Sequence, residues 1–248
     1  MLSDRNRIEQ WKNKYRGERC FCVGNGPSLN QTPLHLLEGE YSFGLNKIAD
    51  IYPRTTWRPS FYVNVSRQVI DPVCALSATK AAQEALSFLD KNFIHLIMGE
   101  SDMPDNVFLL NVAPVARTPK RILWSQDIAE TISKYGTTML SVLQIAVYMG
   151  FDPIYLVGCD GEWEPHKYGE EDPNHFSSEY GKFHYFGKIK EFTPRQCDSA
   201  IIRIRKAHEI AKDMCDGLGV KIYNATIGGD LEVYPRVDLL EVLNDIRS

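Results

Sequence analysis

Short apolar runs recur along this chain, separated by stretches with helical patterning. Cys20-Phe21-Cys22-Val23 is apolar at every position, within a strand predicted over 19–23; a strand apolar on both faces belongs inside a sheet. Tyr41 to Leu45, Pro59 to Val65, Phe93 to Met98, Val107 to Leu110, Ile154 to Gly158 and Val220 to Tyr223 read as further strands. Between them lie predicted helices. Residues 3–15 carry Ser3 or Asp4 as a cap and Ile8, Trp11 and Tyr15 on one side. Asn30 to Pro33 opens a short helix with Leu34, Leu36 and Leu37, and 75–90, 196–216 and an acidic C-terminal segment are helical in composition. Met139 to Met149, stopped by Gly150, lacks a polar face and must be covered on all sides. Residues 111–135 mix prolines, basic residues and Trp124 without a clear period and receive no assignment.

Alternation of strands and helices predicts an α/β fold: a Rossmann-like, mostly parallel sheet with helices on both faces. The expected organisation is an N-terminal helix over 1–18 and a single domain over 19–248. Residues 161–194, rich in Gly, Pro, His, Tyr and charge, are too long for a plain connection and read as a lid-like insertion.

Composition narrows the partners. A net charge of −4 gives no reason to expect a polyanion, so nucleic acid is not the expected ligand. The six cysteines show no C-x-x-C spacing, and Cys20 and Cys22, two apart on a strand, point to one face as small hydrophobes. No apolar h-region opens the chain and no segment approaches a membrane span, so a reducing cytoplasm is the expected location.

Small or polar residues follow five of the predicted strands: Gly24-Asn25-Gly26, Asn46, Asn64, Gly158-Cys159-Asp160 and Asn224-Ala225-Thr226. In an open parallel sheet the ligand site lies beyond such carboxyl ends. Gly24 and Gly26 let backbone approach a ligand or simply make a tight turn, and Pro27 and Ser28 can start the next helix. Neither a dinucleotide fingerprint nor a P-loop is present. Asn46 and Asn64 suit a nucleobase or sugar hydroxyls, or could cap helices. Thr137 and Thr138, at the start of the apolar helix, would favour a phosphate or act as plain caps. Asp160 ends the most hydrophobic strand, where a carboxylate is costly without a partner or a role. His175, in the predicted lid between His166 and His184, is the natural general base for a hydroxyl. Their spacing of nine matches no compact metal motif, and no metal site is expected.

These motifs, in this order, resemble those of the bacterial lipooligosaccharide sialyltransferases and of the wider MptE-like group, which includes flagellin glycosylation factors and archaeal 6-hydroxymethylpterin diphosphokinases. The likeness runs from about residue 19 to the C-terminus, with Gly24-Asn25-Gly26-Pro27-Ser28-Leu29 its most specific element. By resemblance, Asn25, Asn46 and Asn64 bind a nucleotide, Thr137 and Thr138 its phosphate, and His175 deprotonates the acceptor. Lid tyrosines of the sialyltransferases have no clean counterpart; Trp163 and Tyr168 follow Asp160 at different spacing. The implied activity is transfer of a sugar, such as a nonulosonate, from a nucleotide-activated donor to a glycan or protein hydroxyl, with no further cofactor. An ATP- and Mg²⁺-dependent pyrophosphokinase with Asp160 among the metal ligands is the alternative, although that branch needs carboxylates where Asn64 stands. A binding module without chemistry is the third possibility.

Overall fold

Six of the predicted apolar runs and one further strand pair into a sheet in which every neighbouring pair is parallel. A computed structural model of the chain describes residues 4–66, 72–92, 94, 104–113, 123–167, 171–177 and 191–245. The strands are β1 (Cys20–Val23), β2 (Ser42–Leu45), β3 (Phe61–Asn64), β4 (Leu86–Asp90), β5 (Val107–Leu110), β6 (Ile154–Val157), β7 (His166–Lys167), β8 (Glu191–Phe192) and β9 (Ile222–Asn224). The sheet order is β5-β4-β3-β2-β1-β6-β9, and β7 and β8 form a separate antiparallel ribbon. The helices are α1 (Asp4–Glu9), α2 (Pro72–Glu84), α3 (Thr138–Met149), α4 (Pro194–Leu218) and α5 (Leu239–Asn244).

Because successive side chains of a strand point to opposite faces, β1 feeds two cores. Cys20 and Cys22 pack with Phe43, Phe61 and the apolar side chains of α3; Phe21 and Val23 pack with Ile48, Trp57 and Ala78 and Ala81 of α2. Helices thus cover both faces, as the fold class requires. The almost wholly apolar α3 is sandwiched between the sheet and α4, which contributes Ala207, Ala211 and Cys215. Gly150 ends α3 at φ +91°, a conformation that disfavours any residue with a Cβ.

Gln144, a polar residue inside α3, organises the segment that had no pattern of its own. Its Oε1 accepts from the amides of Ser125 (2.9 Å) and Ser133 (3.1 Å), and its Nε2 donates to the carbonyl of Ser133 (2.8 Å). A parallel bridge between Val112 and Ile132 completes that support.

Three expectations need correction. The N-terminal helix stops at Glu9, because the amides of Asn13 and Tyr15 turn to the carbonyls of Tyr148 and Met149, which the end of α3 leaves unpaired. The 1–18 region is also no appendage, since Ile8 and Trp11 are buried in the main core, with Trp11 edge-on to Phe108 at 5.4 Å. Residues 75–90 divide into α2 and β4: pairing on both sides with β3 and β5 overrides helical composition from Leu86 onward. The strand expected at Phe93 to Met98 lies, apart from Ile94, outside the described residues. Among the described residues no helix is long and apolar enough to cross a membrane.

Leu143 lies in the middle of α3 with no exposed surface. Leu143→Ala is expected to destabilise the protein by about 2–5 kcal/mol through lost burial and a cavity. Urea unfolding should show this as a lower midpoint at unchanged slope, and an unchanged midpoint would deny α3 its place at the centre of the core.

Candidate functional site

Strands β1 to β5 step outward on one side of β1, and β6 and β9 lie on the other side, so the chain reverses direction between β1 and β6. A crevice forms at such a reversal, beyond the carboxyl ends of the strands. A cleft of about 620 Å³ occupies this position, within the range of small-molecule sites.

Its floor is the turn after β1 packed on the turn after β6. A Cβ on Gly24 would stand 2.3 Å from the carbonyl oxygen of Gly158, and one on Gly26 only 1.7 Å from Asp160 Oδ2. Turn-against-turn packing by itself therefore requires both glycines, which also line the cleft. Asp160 closes the contact. Its carboxylate accepts from the Ser28 amide (3.1 Å) and the Ser28 hydroxyl (2.9 Å), satisfying the start of the 3-10 turn Pro27–Asn30. Burial raises the Asp160 carboxyl above its ordinary value, and the bonds from Ser28 pull it back. Asp160 thus has the partner that its buried position demanded, and Ser28 lies beneath the cleft rather than in its lining.

The asparagines divide. Asn25 donates from its side chain to the Leu45 carbonyl (3.1 Å), tying the β1 turn to the end of β2. Asn64 donates to the Tyr62 hydroxyl (2.9 Å) and accepts from the Ser66 amide (3.0 Å), so both ends of its amide are engaged and it does not line the cleft. Its expected role in binding is replaced by a structural one. Asn46 sits at φ +51°, which asparagine tolerates better than most residues. Its Oδ1 is buried and has no hydrogen-bond partner among the described residues, and Asn46 lines the cleft. A buried acceptor left unsatisfied is costly, and a ligand donor at this point would relieve it.

Thr137 caps α3, accepting from the Met139 amide (3.3 Å). Thr138 follows in the lining and has no hydrogen-bond partner for its amide or hydroxyl among the described residues. Gly136 (φ +77°) brings this helix start against α4, where a Cβ would meet the Arg203 carbonyl oxygen at 2.4 Å. Arg203 lines the same wall, with no carboxylate partner among the described residues. A helix N-terminus, two hydroxyls and a guanidinium together favour an anion here.

Above the cleft lies the segment after β6. Phe176 is buried in the core and its amide donates to the Asn25 carbonyl (2.9 Å), which anchors the segment on the β1 turn. Asn174 Nδ2 donates to the Glu164 carbonyl (2.9 Å), and Asp172 Oδ1 accepts from the Asn174 amide (2.8 Å). The other oxygen of Asp172 lies 2.8 Å from His175 Nδ1, and Trp163 meets the ring edge-on at 5.3 Å. With Nδ1–H donated to Asp172, the basic lone pair of the imidazole lies on Nε2. Residues Tyr168 and His184 are outside the described residues, as are the side chains at 166 and 167.

The described positions therefore bring together Gly24, Asn25, Gly26, Asn46, Thr137, Thr138, Asp160 and His175 at one cleft, and leave Ser28 and Asn64 behind it. Three residues escaped the sequence analysis: Asp172, Arg203 and His208. Asp172 was legible in principle, three residues before His175 in a Pro-Asn turn. His208 falls in the buried stripe Ala207, His208, Ala211, Cys215, where a histidine among small apolar residues was the available signal. Burial pushes its imidazole down to about 4. Cys159 also faces the cleft, but burial raises its thiol well above the ordinary range and keeps it protonated, unsuited to act as a nucleophile. No group of three or more His, Cys, Asp or Glu placed to hold a metal occurs among the described residues. Comparison with family models, curated proteins and solved structures finds no significant match.

Gly26 has φ −67°, so Gly26→Ala acts through sterics alone. It should destabilise the protein by about 1–3 kcal/mol as Asp160 is forced off Ser28; an unaltered urea midpoint would refute the packing argument. His208 titrates near 4 when folded and near 6.5 when unfolded, so the unfolded state binds the proton first as pH falls. Its contribution is intact above about pH 6.5 and lost toward pH 4, about 3 kcal/mol in all. His208→Gln should flatten the pH dependence of stability across that window, measured by denaturant titration at each pH.

Proposed function

We propose that the chain is a glycosyltransferase-like enzyme that takes a sugar from a nucleotide-activated donor, a CMP-nonulosonate by resemblance to the sialyltransferases, and transfers it to a glycan or protein hydroxyl. The observation that carries this reading is the Asp172–His175 pair, whose histidine lines the same cleft as Thr137, Thr138 and Arg203. A base and an anion-stabilising wall in one cleft of ligand size are what displacement at an anomeric carbon requires.

In the proposed reaction, His175 Nε2 takes the proton of the acceptor hydroxyl as that oxygen bonds to the anomeric carbon. The bond from the anomeric carbon to the phosphate oxygen breaks, and its electron pair leaves with the nucleotide phosphate. Thr138 N–H, the two threonine hydroxyls and Arg203 stabilise the departing anion. Asp172 fixes the ring tautomer and balances the imidazolium as it forms. Asn46 Oδ1 accepts from a donor on the nucleotide or sugar.

The pyrophosphokinase alternative is less well supported, because both oxygens of Asp160 are engaged by Ser28 and the end of β3 presents Asn64, whose amide is used internally. Calorimetry with CMP, UMP and ATP separates the readings. Binding of CMP or UMP without Mg²⁺ is expected; binding confined to ATP with Mg²⁺ would favour the kinase. His175→Ala and Asp172→Asn should leave nucleotide affinity unchanged and slow turnover by about 10²–10⁴-fold. Equal rates in wild type and His175→Ala would remove the base from the mechanism, and nucleotide binding without turnover on any acceptor would leave a binding module.

A further inference from the structure

We propose that His208 is a specificity-determining residue of the cleft, with Nε2 accepting a hydrogen bond from an O–H or N–H of the bound nucleotide or its sugar. The inference deepens, and rests on, the nucleotide-binding reading of the cleft. It begins from one hydroxyl. Tyr234 OH donates to the backbone carbonyl of His208 at 3.1 Å and lies 3.0 Å from His208 Nδ1. A tyrosine hydroxyl has a single hydrogen, so once this is spent on the carbonyl the oxygen can only accept from Nδ1–H. The tautomer is thereby assigned by the local bonding: Nδ1 carries the proton and Nε2 the lone pair.

His208 is 3% exposed, lines the cleft, and makes no hydrogen bond other than to Tyr234 among the described residues. The side chain is thus held by its Nδ1 bond, and Nε2 is an open acceptor available to a donor in the cavity that it faces. Burial supports the assignment, since an imidazole held at about 4 stays neutral at physiological pH and cannot turn its acceptor into a donor. Charge and selectivity are then divided along α4. Arg203 attracts the phosphate, whereas His208 rejects any acceptor-only group, a phosphate or carboxylate oxygen included, and selects a hydroxyl or amide hydrogen.

The test uses the full chain with CMP and UMP as probes, both of which carry ribose hydroxyl donors. Calorimetry on wild type and His208→Phe, with circular dichroism to verify the fold, should show affinity weakened by about 10- to 100-fold in the variant, the range for a lost hydrogen bond that strands a buried donor. Equal affinity in the two proteins would overturn the inference. Absence of nucleotide binding in wild type would instead strike the functional reading itself. If His208→Phe does not fold, ¹⁵N NMR of the wild-type imidazole decides. Nε2 should be unprotonated in the free protein and move upfield when nucleotide saturates the cleft; a protonated Nε2, or a resonance unmoved at saturation, would overturn the proposal.

Discussion

Both carboxylate oxygens of Asp160 are held by Ser28, and this contact joins the turn after β1 to the turn after β6 at the point where the sheet reverses direction. The geometry depends on the glycines around it, because a Cβ on Gly24 or Gly26 would occupy space already filled by Gly158 and Asp160. Gly158 adopts φ +67° and leaves no room for a side chain against Leu29. The base of the cleft is accordingly a dense contact between two turns. The segment carrying His175 is anchored on it where the Phe176 amide donates to the Asn25 carbonyl.

Polar residues at the strand ends serve two ranks. One rank satisfies backbone groups: Asn25 reaches Leu45, Asn64 and Tyr62 brace the end of β2, and Asn224 holds Thr226 and Leu231. The other rank faces the cleft with capacity unused, namely Asn46 Oδ1 and the amide and hydroxyl of Thr138. Buried polar groups must be paired, so the first rank stiffens the rim and leaves the second little freedom to collapse onto itself. Preorganised polar groups of this kind suit a ligand rich in hydroxyls and a phosphate.

Two imidazoles meet the cleft in different environments. A carboxylate oxygen of Asp172 lies 2.8 Å from Nδ1 of His175. A neutral hydroxyl takes the corresponding place beside His208, and full burial disfavours its charged form. The same side chain thus meets a carboxylate in one place and a neutral hydroxyl in another. Neighbours and burial, not residue type, make that distinction.

Local pattern alone determined the α/β class, the almost wholly apolar α3, most strand positions and the gathering of polar residues at the strand ends, because burial on both faces and helix periodicity are written in consecutive residues. It also identified part of the cleft lining, since clefts in parallel sheets follow from strand direction. Tertiary structure decided the rest. Whether an asparagine faces the cleft, as Asn46 does, or turns inward, as Asn64 does, depends on which backbone groups lie within hydrogen-bond reach after folding. That Gly24 and Gly26 answer to Gly158 and Asp160, and that Tyr234 selects the tautomer of His208, are consequences of contacts between residues far apart in the chain. No local pattern carries such contacts, because sterics and hydrogen bonding between distant segments exist only once the sheet has brought them together.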